Sequence, residues 1–278
     1  MQHREILKSA KRIVIKVGTS TLTHENGKMN LIRMDRLAMT IAELMNENKE
    51  VILVSSGAIG VGMGKFNLRK RPDVMGMKQA LAAVGQCELM NIYSRLFAAY
   101  NHTVAQVLLT KTDLDDDVKR LNVMNTFNSL MEFGVLPIVN ENDTVSVDEI
   151  QHLNMFGDND TLSAVVAKLV SADLLIILSD VDGLYDKNPG KSKECRLISI
   201  VENIDDTVLS YAGGKGTSRG TGGMITKLSA AKIATEAGVN MVIANGANPV
   251  VILDILKGED IGTLFLRKEK KQDDAAAV

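Results

Sequence analysis

The sequence predicts an α/β protein with a doubly wound, mainly parallel sheet and helices on both faces. Three observations carry that prediction. Seven strand-like apolar runs recur, at 13–17, 51–54, 103–109, 135–139, 174–178, 239–244 and 263–266. Several are continuous rather than alternating, as strands covered on both faces require. Helix-period segments separate most of them, at 31–48, 75–100, 161–170, 224–237 and 249–256, and that βα alternation is the mark of a doubly wound sheet.

Taken in order, 13–17 (IVIKV) is apolar except for Lys16, and 31–48 places Leu37, Ile41, Leu44 and Met45 on one face. The segment 75–100 is long and rich in Ala, Leu and Met, and its apolar stripe reads as core or subunit interface. The last helix has Pro249 close to its first turn. Two stretches break the rhythm: the polar 141–160, with a hairpin expected over 144–150, and the loop-like 179–196 with its Asp-Gly and Asn-Pro pairs. No linker or internal repeat divides the 278 residues.

Composition narrows the function. A net charge of −2, no tryptophan and 4% aromatics argue against a nucleic-acid surface. Cys87 and Cys195 lack CxxC spacing, and the four histidines form no ligand pattern with them, which argues against structural zinc. Two isolated cysteines fit a reducing cytoplasm, with Cys87 expected as a small core residue. The charged N-terminus has no signal-peptide apolar region and no run reaches spanning length, so neither secretion nor a membrane partner is expected.

Ligands of open α/β sheets bind beyond the carboxyl ends of the strands. Here those ends read Val17-Gly-Thr-Ser20, Ser55-Ser-Gly-Ala-Ile-Gly60, Asn140-Glu-Asn-Asp-Thr144 and Ser179-Asp-Val-Asp-Gly183. One such loop is an ordinary turn; several on one sheet edge indicate an anionic ligand met by backbone N–H groups. Lys16 is costly inside an apolar strand unless it snorkels to water or meets an anion. The run GVGMGK (60–65) matches neither Walker A nor GxGxxG spacing. A second glycine run, GGKGTSRGTGGMITK (213–227), feeds a helix and places Lys227 near its positive end, where a cation is unfavourable without a bound anion. The bland reading is a mobile surface loop with a solvated lysine. In GDND (157–160), Asp160 has the ordinary reading of a helix N-cap, whereas Asp158 and Asn159 exceed what a cap needs.

Together, IVIKVGTSTL, VILVSSGAIG, LPIVNENDTV, FGDNDTLSA, LLIILSDVDGLY and GTGGMITKLSAAKIATEAGV resemble the amino acid kinase family, in the family's order and over nearly the whole chain. The resemblance implies one αβα sandwich around a mainly parallel open sheet over 1–266, with 267–278 a frayed tail. It implies that the N-terminal part binds the amino acid and the C-terminal part ATP. Among members, the motifs match those that phosphorylate the side-chain carboxylate of L-glutamate, opening proline biosynthesis. It further implies Mg²⁺ on the phosphates, a homo-oligomer, and proline as a candidate feedback inhibitor. Carried over by motif, Lys16 and Lys227 touch the transferring phosphoryl group and Asp160 organises them. Ser56, Gly57, Asn140, Asp143, Asp158 and Asn159 surround glutamate. Gly18, Ser179, Asp180, Thr221, Gly222, Gly223, Met224, Ile225 and Thr226 join the two lysines around the nucleotide.

A carboxylate nucleophile is ionised near neutral pH and needs no general base, which fits candidate motifs without histidine. Catalysis then consists of cations, donors and alignment. The rival readings are a kinase for N-acetylglutamate, aspartate or carbamate, and a non-catalytic binding regulator on the same fold. Many bacterial family members carry a C-terminal PUA domain, which this sequence is expected to lack. The stretch between Asp143 and Gly157 reads as slightly longer than the family's usual form.

Overall fold

The computed structural model describes residues 2–24, 27–145, 158–187, 189, 194–212 and 223–268. Each anticipated apolar run forms a strand: β1 (Arg12–Val17), β2 (Glu50–Ser55), β3 (Val104–Leu109), β4 (Leu136–Glu141), β5 (Leu174–Ser179), β7 (Asn240–Asn245) and β8 (Thr263–Phe265). A two-residue strand, β6 (Ile200–Val201), joins them at one edge. The order across the sheet is β3-β4-β2-β1-β5-β7-β8-β6. Pairings from β3 through β7 are parallel, β8 runs antiparallel to β7, and β6 is parallel to β8. Strand β1 therefore lies between β2 and β5, at the switch point where a doubly wound sheet opens a crevice.

The sheet divides the core in two, because successive side chains of a strand face opposite ways. Ile13, Ile15 and Val17 of β1 pack with α2 (Leu31–Asn46), α4 (Met75–Ala99) and α10 (Val251–Leu256). Val14 packs on the other face with α7 (Asn159–Leu169) and α9 (Met224–Glu236). Helix α2 starts where Asn30 accepts a hydrogen bond from the Arg33 N–H, a side-chain cap on an otherwise unpaired donor.

Beyond the 3₁₀ helix at Gln2–Ser9 and β6, helices form where none was anticipated. They are the short α1 (Thr19–Leu22), α5 (Lys111–Asp115), α8 (Asp206–Tyr211) and the longer α6 (Asp117–Glu132). Helix α6 buries only Phe127 fully, so its sequence carries no strong apolar stripe to betray it. The glycine run at 60–65 is likewise helical, as α3 (Ala58–Lys65). Its glycines serve packing: a Cβ on Gly85 of α4 would lie 1.8 Å from the Ala58 carbonyl oxygen, and one on Gly62 would lie 2.1 Å from that of Leu81. The two helices touch backbone to backbone, which only hydrogen side chains permit.

One expectation is corrected. Cys87 is exposed, not in the core, because the buried stripe of α4 runs through Gln86, Leu89, Tyr93 and Phe97 and leaves position 87 outside it. At the end of the described residues the Arg267 N–H donates to the Asn240 side chain and the Lys268 N–H to the Thr235 carbonyl. Most of the expected 144–150 hairpin and the tail beyond 268 lie outside the described residues. Among the described residues, no helix is long and apolar enough to cross a membrane.

Gly85→Ala is expected to destabilise the fold by roughly 1–3 kcal/mol or more, since the backbone of α3 must move to admit a methyl group. Urea denaturation measures this, and a midpoint equal to that of the parent protein would contradict the contact.

Candidate active site

Lys16 is two residues beyond Val14, so strand alternation sends its side chain to the face covered by α7 and α9. Both helices deliver charge there. The Lys16 Nζ lies 2.6 Å from Asp160 Oδ1, and Lys227 Nζ lies 3.1 Å from Asp160 Oδ2. All three side chains are buried, at 10%, 7% and 1% exposure for Lys16, Lys227 and Asp160. The Thr226 hydroxyl lies within hydrogen-bond distance of both Asp160 Oδ2, at 3.0 Å, and the Gly223 carbonyl, at 2.8 Å. Carrying one proton, it donates to one of them at a time. Lys227 is the fourth residue of α9, at the dipole end that repels a cation, and the carboxylate opposite offsets that cost.

Asp160 is not the cap of its helix. Asp158 caps α7, its Oδ1 accepting from the N–H groups of Asp160 at 2.7 Å and Thr161 at 2.9 Å. The helix thus begins two residues earlier than periodicity suggests, and the Asp160 carboxylate is released from capping to hold the lysines. Burial alone would raise the Asp160 pKa; Lys16 and Lys227 override it and hold the group below the ordinary carboxylate value. Asp158 moves the other way, raised by burial and by the neighbouring Asp160 charge against its backbone hydrogen bonds and Lys16.

Beside the ion trio lies a chain of amides. Asn159 Nδ2 donates to Ser56 Oγ at 2.7 Å and to Asn140 Oδ1 at 3.1 Å. Asn140 Oδ1 also accepts the Glu141 backbone N–H at 2.9 Å, and Asn140 Nδ2 donates to Gln86 Oε1 at 2.9 Å. Gly57, with φ at 101°, begins α3 in a left-handed conformation that other residues adopt only with strain. The Gly18 turn adjoins the lysine: a Cβ there would stand 3.5 Å from Lys16 Nζ, in ordinary contact, so this glycine is not demanded by space. The turns after β1 and β2 are neighbours, since a Cβ on Gly57 would stand 3.6 Å from Thr19 Oγ1.

The remaining candidates fall around this centre. Ser179 ends β5, next to β1, and its hydroxyl donates to Asp180 at 3.1 Å. Gly223 starts α9, Met224 packs against the core, and Ile225 is exposed. Asp143 follows β4, its pKa raised by burial and drawn back by Arg71. Thr221 and Gly222 lie outside the described residues. Sequence reading missed Gln86, which sits on α4 within an apolar stripe; a lone amide among Leu, Ala and Phe was its one visible signal. It also missed the buried pair of Ser55 and Tyr93, whose hydroxyls are 2.9 Å apart.

Comparison with known proteins shows the family and the fold. The model of the amino acid kinase family matches residues 11–245. Glutamate 5-kinase of Clostridium perfringens is 56% identical over 266 residues, covering 96% of this chain and 99% of that protein. The protein of the same name from Enterococcus faecalis is 51% identical over 270 residues, covering 97% and 100%. Among solved structures, carbamate kinase from Giardia lamblia bound to AMP-PNP superposes with a TM-score of 0.65 at 17% identity, over 94% of this chain and 100% of that one. An isopentenyl phosphate kinase gives 0.63 at 18% identity, over 91% and 99%. At such identities these structures speak for the fold, whereas the sequence relatives speak for kinship. The chain belongs to the amino acid kinase family, among the glutamate 5-kinases.

Proposed function

We propose that this protein transfers the γ-phosphoryl group of ATP to the side-chain carboxylate of L-glutamate, yielding L-glutamyl 5-phosphate and ADP, the first step of proline biosynthesis. Kinship with glutamate 5-kinases over 96–97% of the chain supports the activity. The observation that carries the residue-level reading is the convergence of Lys16 and Lys227 on Asp160, next to the amide cluster.

In the step itself, a carboxylate oxygen of glutamate attacks the γ-phosphorus. The bond from phosphorus to the β,γ-bridging oxygen breaks, and its electron pair leaves on ADP. No proton moves, so the protein's task is to bring one anion to another and to neutralise the charge that shifts between them. In this reading Lys16 and the backbone around Gly18 and Gly57 face the transferring group. Lys227 follows the charge that builds on the bridging oxygen. Ser56, Asn159, Asn140, Asp143 and Asp158 surround glutamate, whose α-ammonium calls for acceptors and carboxylates. Ser179, Asp180 and the 221–227 stretch hold the nucleotide. Asp160 keeps the two ammonium groups ordered and limits their repulsion while leaving the trio net positive.

Mg²⁺ is proposed to enter as the MgATP chelate. The carboxylate of Asp160 is engaged by lysines and that of Asp158 by backbone N–H groups, which suits an ion coordinated chiefly by phosphate and water. Assembly with further copies of the chain belongs to the same proposal, supported by the outward apolar residues Val118, Leu121 and Phe133 around α6. So do a cytoplasmic setting, supported by the unpaired Cys87 and Cys195, and feedback by the pathway product proline.

With glutamate, MgATP and hydroxylamine, the protein should release ADP and form the glutamyl hydroxamate, and it should leave N-acetylglutamate, aspartate and carbamate unconverted. Lys16→Ala and Lys227→Ala should each lower turnover by at least about 10²-fold with a smaller change in glutamate KM. Near-normal turnover in either variant would contradict its role.

Asp160 also ties stability to pH. Its folded-state pKa lies below the unfolded value of about 3.9, so its contribution is full above that value and is lost as pH falls through the folded-state pKa. Asp160→Asn should cost about 3–5 kcal/mol near neutral pH, because two buried ammonium groups lose their partner. Urea titrations at several pH values should show the parent's stability falling more steeply below about pH 4 than the variant's.

A further inference from the structure

We infer that Gln86 is a positioning residue that holds in place the hydrogen-bonding polarity of the amino-acid pocket, and with it the selectivity for a substrate bearing a free α-ammonium group. This rests on the glutamate kinase reading above, and no motif that supports that reading includes Gln86.

One donor in the cluster cannot reverse. A backbone N–H only donates, and the Glu141 N–H points at the Asn140 side chain from 2.9 Å. The Asn140 atom there must be its oxygen, which turns its NH₂ toward Gln86. Asn140 is 3% exposed and Gln86 8%, so that NH₂ has little access to water and depends on Gln86 Oε1. Leaving it unpaired would cost the desolvation penalty of a buried donor.

The polarity then propagates outward. Facing an oxygen on Asn140, Asn159 must present its NH₂, and its two hydrogens go to Asn140 Oδ1 and Ser56 Oγ. Asn159 Oδ1 is thereby turned away from Asn140 as an acceptor, the complement of an ammonium group. Ser56 Oγ has accepted one hydrogen and keeps its own proton to give, the complement of a carboxylate. A pocket of one acceptor and one donor in adjacent places matches the α-ammonium and carboxylate of an amino acid. Without an acceptor at position 86 the buried Asn140 NH₂ is left unpaired, so Asn140 is pulled out of line with the Glu141 N–H, and Asn159 loses the oxygen that orders it. An Asn159 amide turned end for end would offer N–H groups to an ammonium, which repels it.

The test compares Gln86→Met, similar in size but without a strong acceptor, with Gln86→Glu, which keeps an acceptor oxygen. Each is assayed with glutamate and with glutarate, the same dicarboxylate lacking the α-ammonium, alongside the parent protein. Gln86→Met should lower kcat/KM for glutamate about ten- to a hundredfold, mainly through KM. Its KM for ATP and its kcat/KM for glutarate should change less than about threefold. Gln86→Glu should recover most of the glutamate efficiency. Thermal midpoints identify a variant that has lost its fold; if Gln86→Met does so, Gln86→Ala replaces it with the same expected outcome. Equal losses for glutamate and glutarate, or an unchanged glutamate KM, overturn the inference, as does a folded Gln86→Glu no better than Gln86→Met. If the parent protein itself fails to convert glutamate, the kinase reading fails and the inference falls with it. If the parent converts glutamate and the variants match it, the inference alone falls.

Discussion

Two buried ammonium groups held by one carboxylate constitute the interaction on which the rest of this structure depends. Each charge alone would be expensive to take out of water, and together the lysines would repel. Asp160 makes the arrangement tolerable without neutralising it, so the site keeps a net positive charge among walls that exclude most solvent. In such surroundings a fixed cation acts on a phosphate far more strongly than it would in water. The price is specificity of geometry: the carboxylate must reach one lysine with each oxygen, which it does from the first turn of α7.

The fold delivers that geometry through elementary rules. Strand alternation decides that Lys16 shares a face with Val14, and that face is the one covered by α7 and α9. The central position of β1, between β2 and β5, opens the crevice at its carboxyl end. The α3–α4 contact through Gly62 and Gly85 seats α4 close to the sheet edge, where Gln86 reaches Asn140. Packing far from any reacting atom thus bears on which polar groups the pocket presents.

Much of this was legible in the residues. Continuous apolar runs marked seven strands, because central parallel strands are covered on both faces and must be apolar throughout. The lone lysine in 13–17 and the lysine at the mouth of a glycine run pointed to a shared anion, and they do share one, though it is the protein's own Asp160. What escaped was of two kinds. Elements with weak amphipathicity, such as α6 with its single fully buried residue, leave little periodic trace. Long-range polar pairings, such as Gln86 with Asn140 across 54 positions, are set by helix packing and have no local signature. The glycines of 60–65 excluded two phosphate motifs without revealing a helix, because glycine serves both loops and close helix crossings, and only the partner helix tells which. Asp160 holds the lysines as the family resemblance implied, and it is Asp158 that takes the cap which the ordinary reading had offered to Asp160.

The first turn of α7 carries three consecutive tasks in Asp158, Asn159 and Asp160: anchoring the helix, meeting the amide cluster, and holding the lysines. These residues ride on one stiff segment, so neither hand can shift without the other. A rigid displacement that shifts Asn159 against Ser56 and Asn140 displaces Asp160 from the lysines by a comparable amount. In the proposed reading the two substrates would therefore meet at a common lever, and whatever free energy one gained by settling that turn would be shared, by reciprocity, with the other.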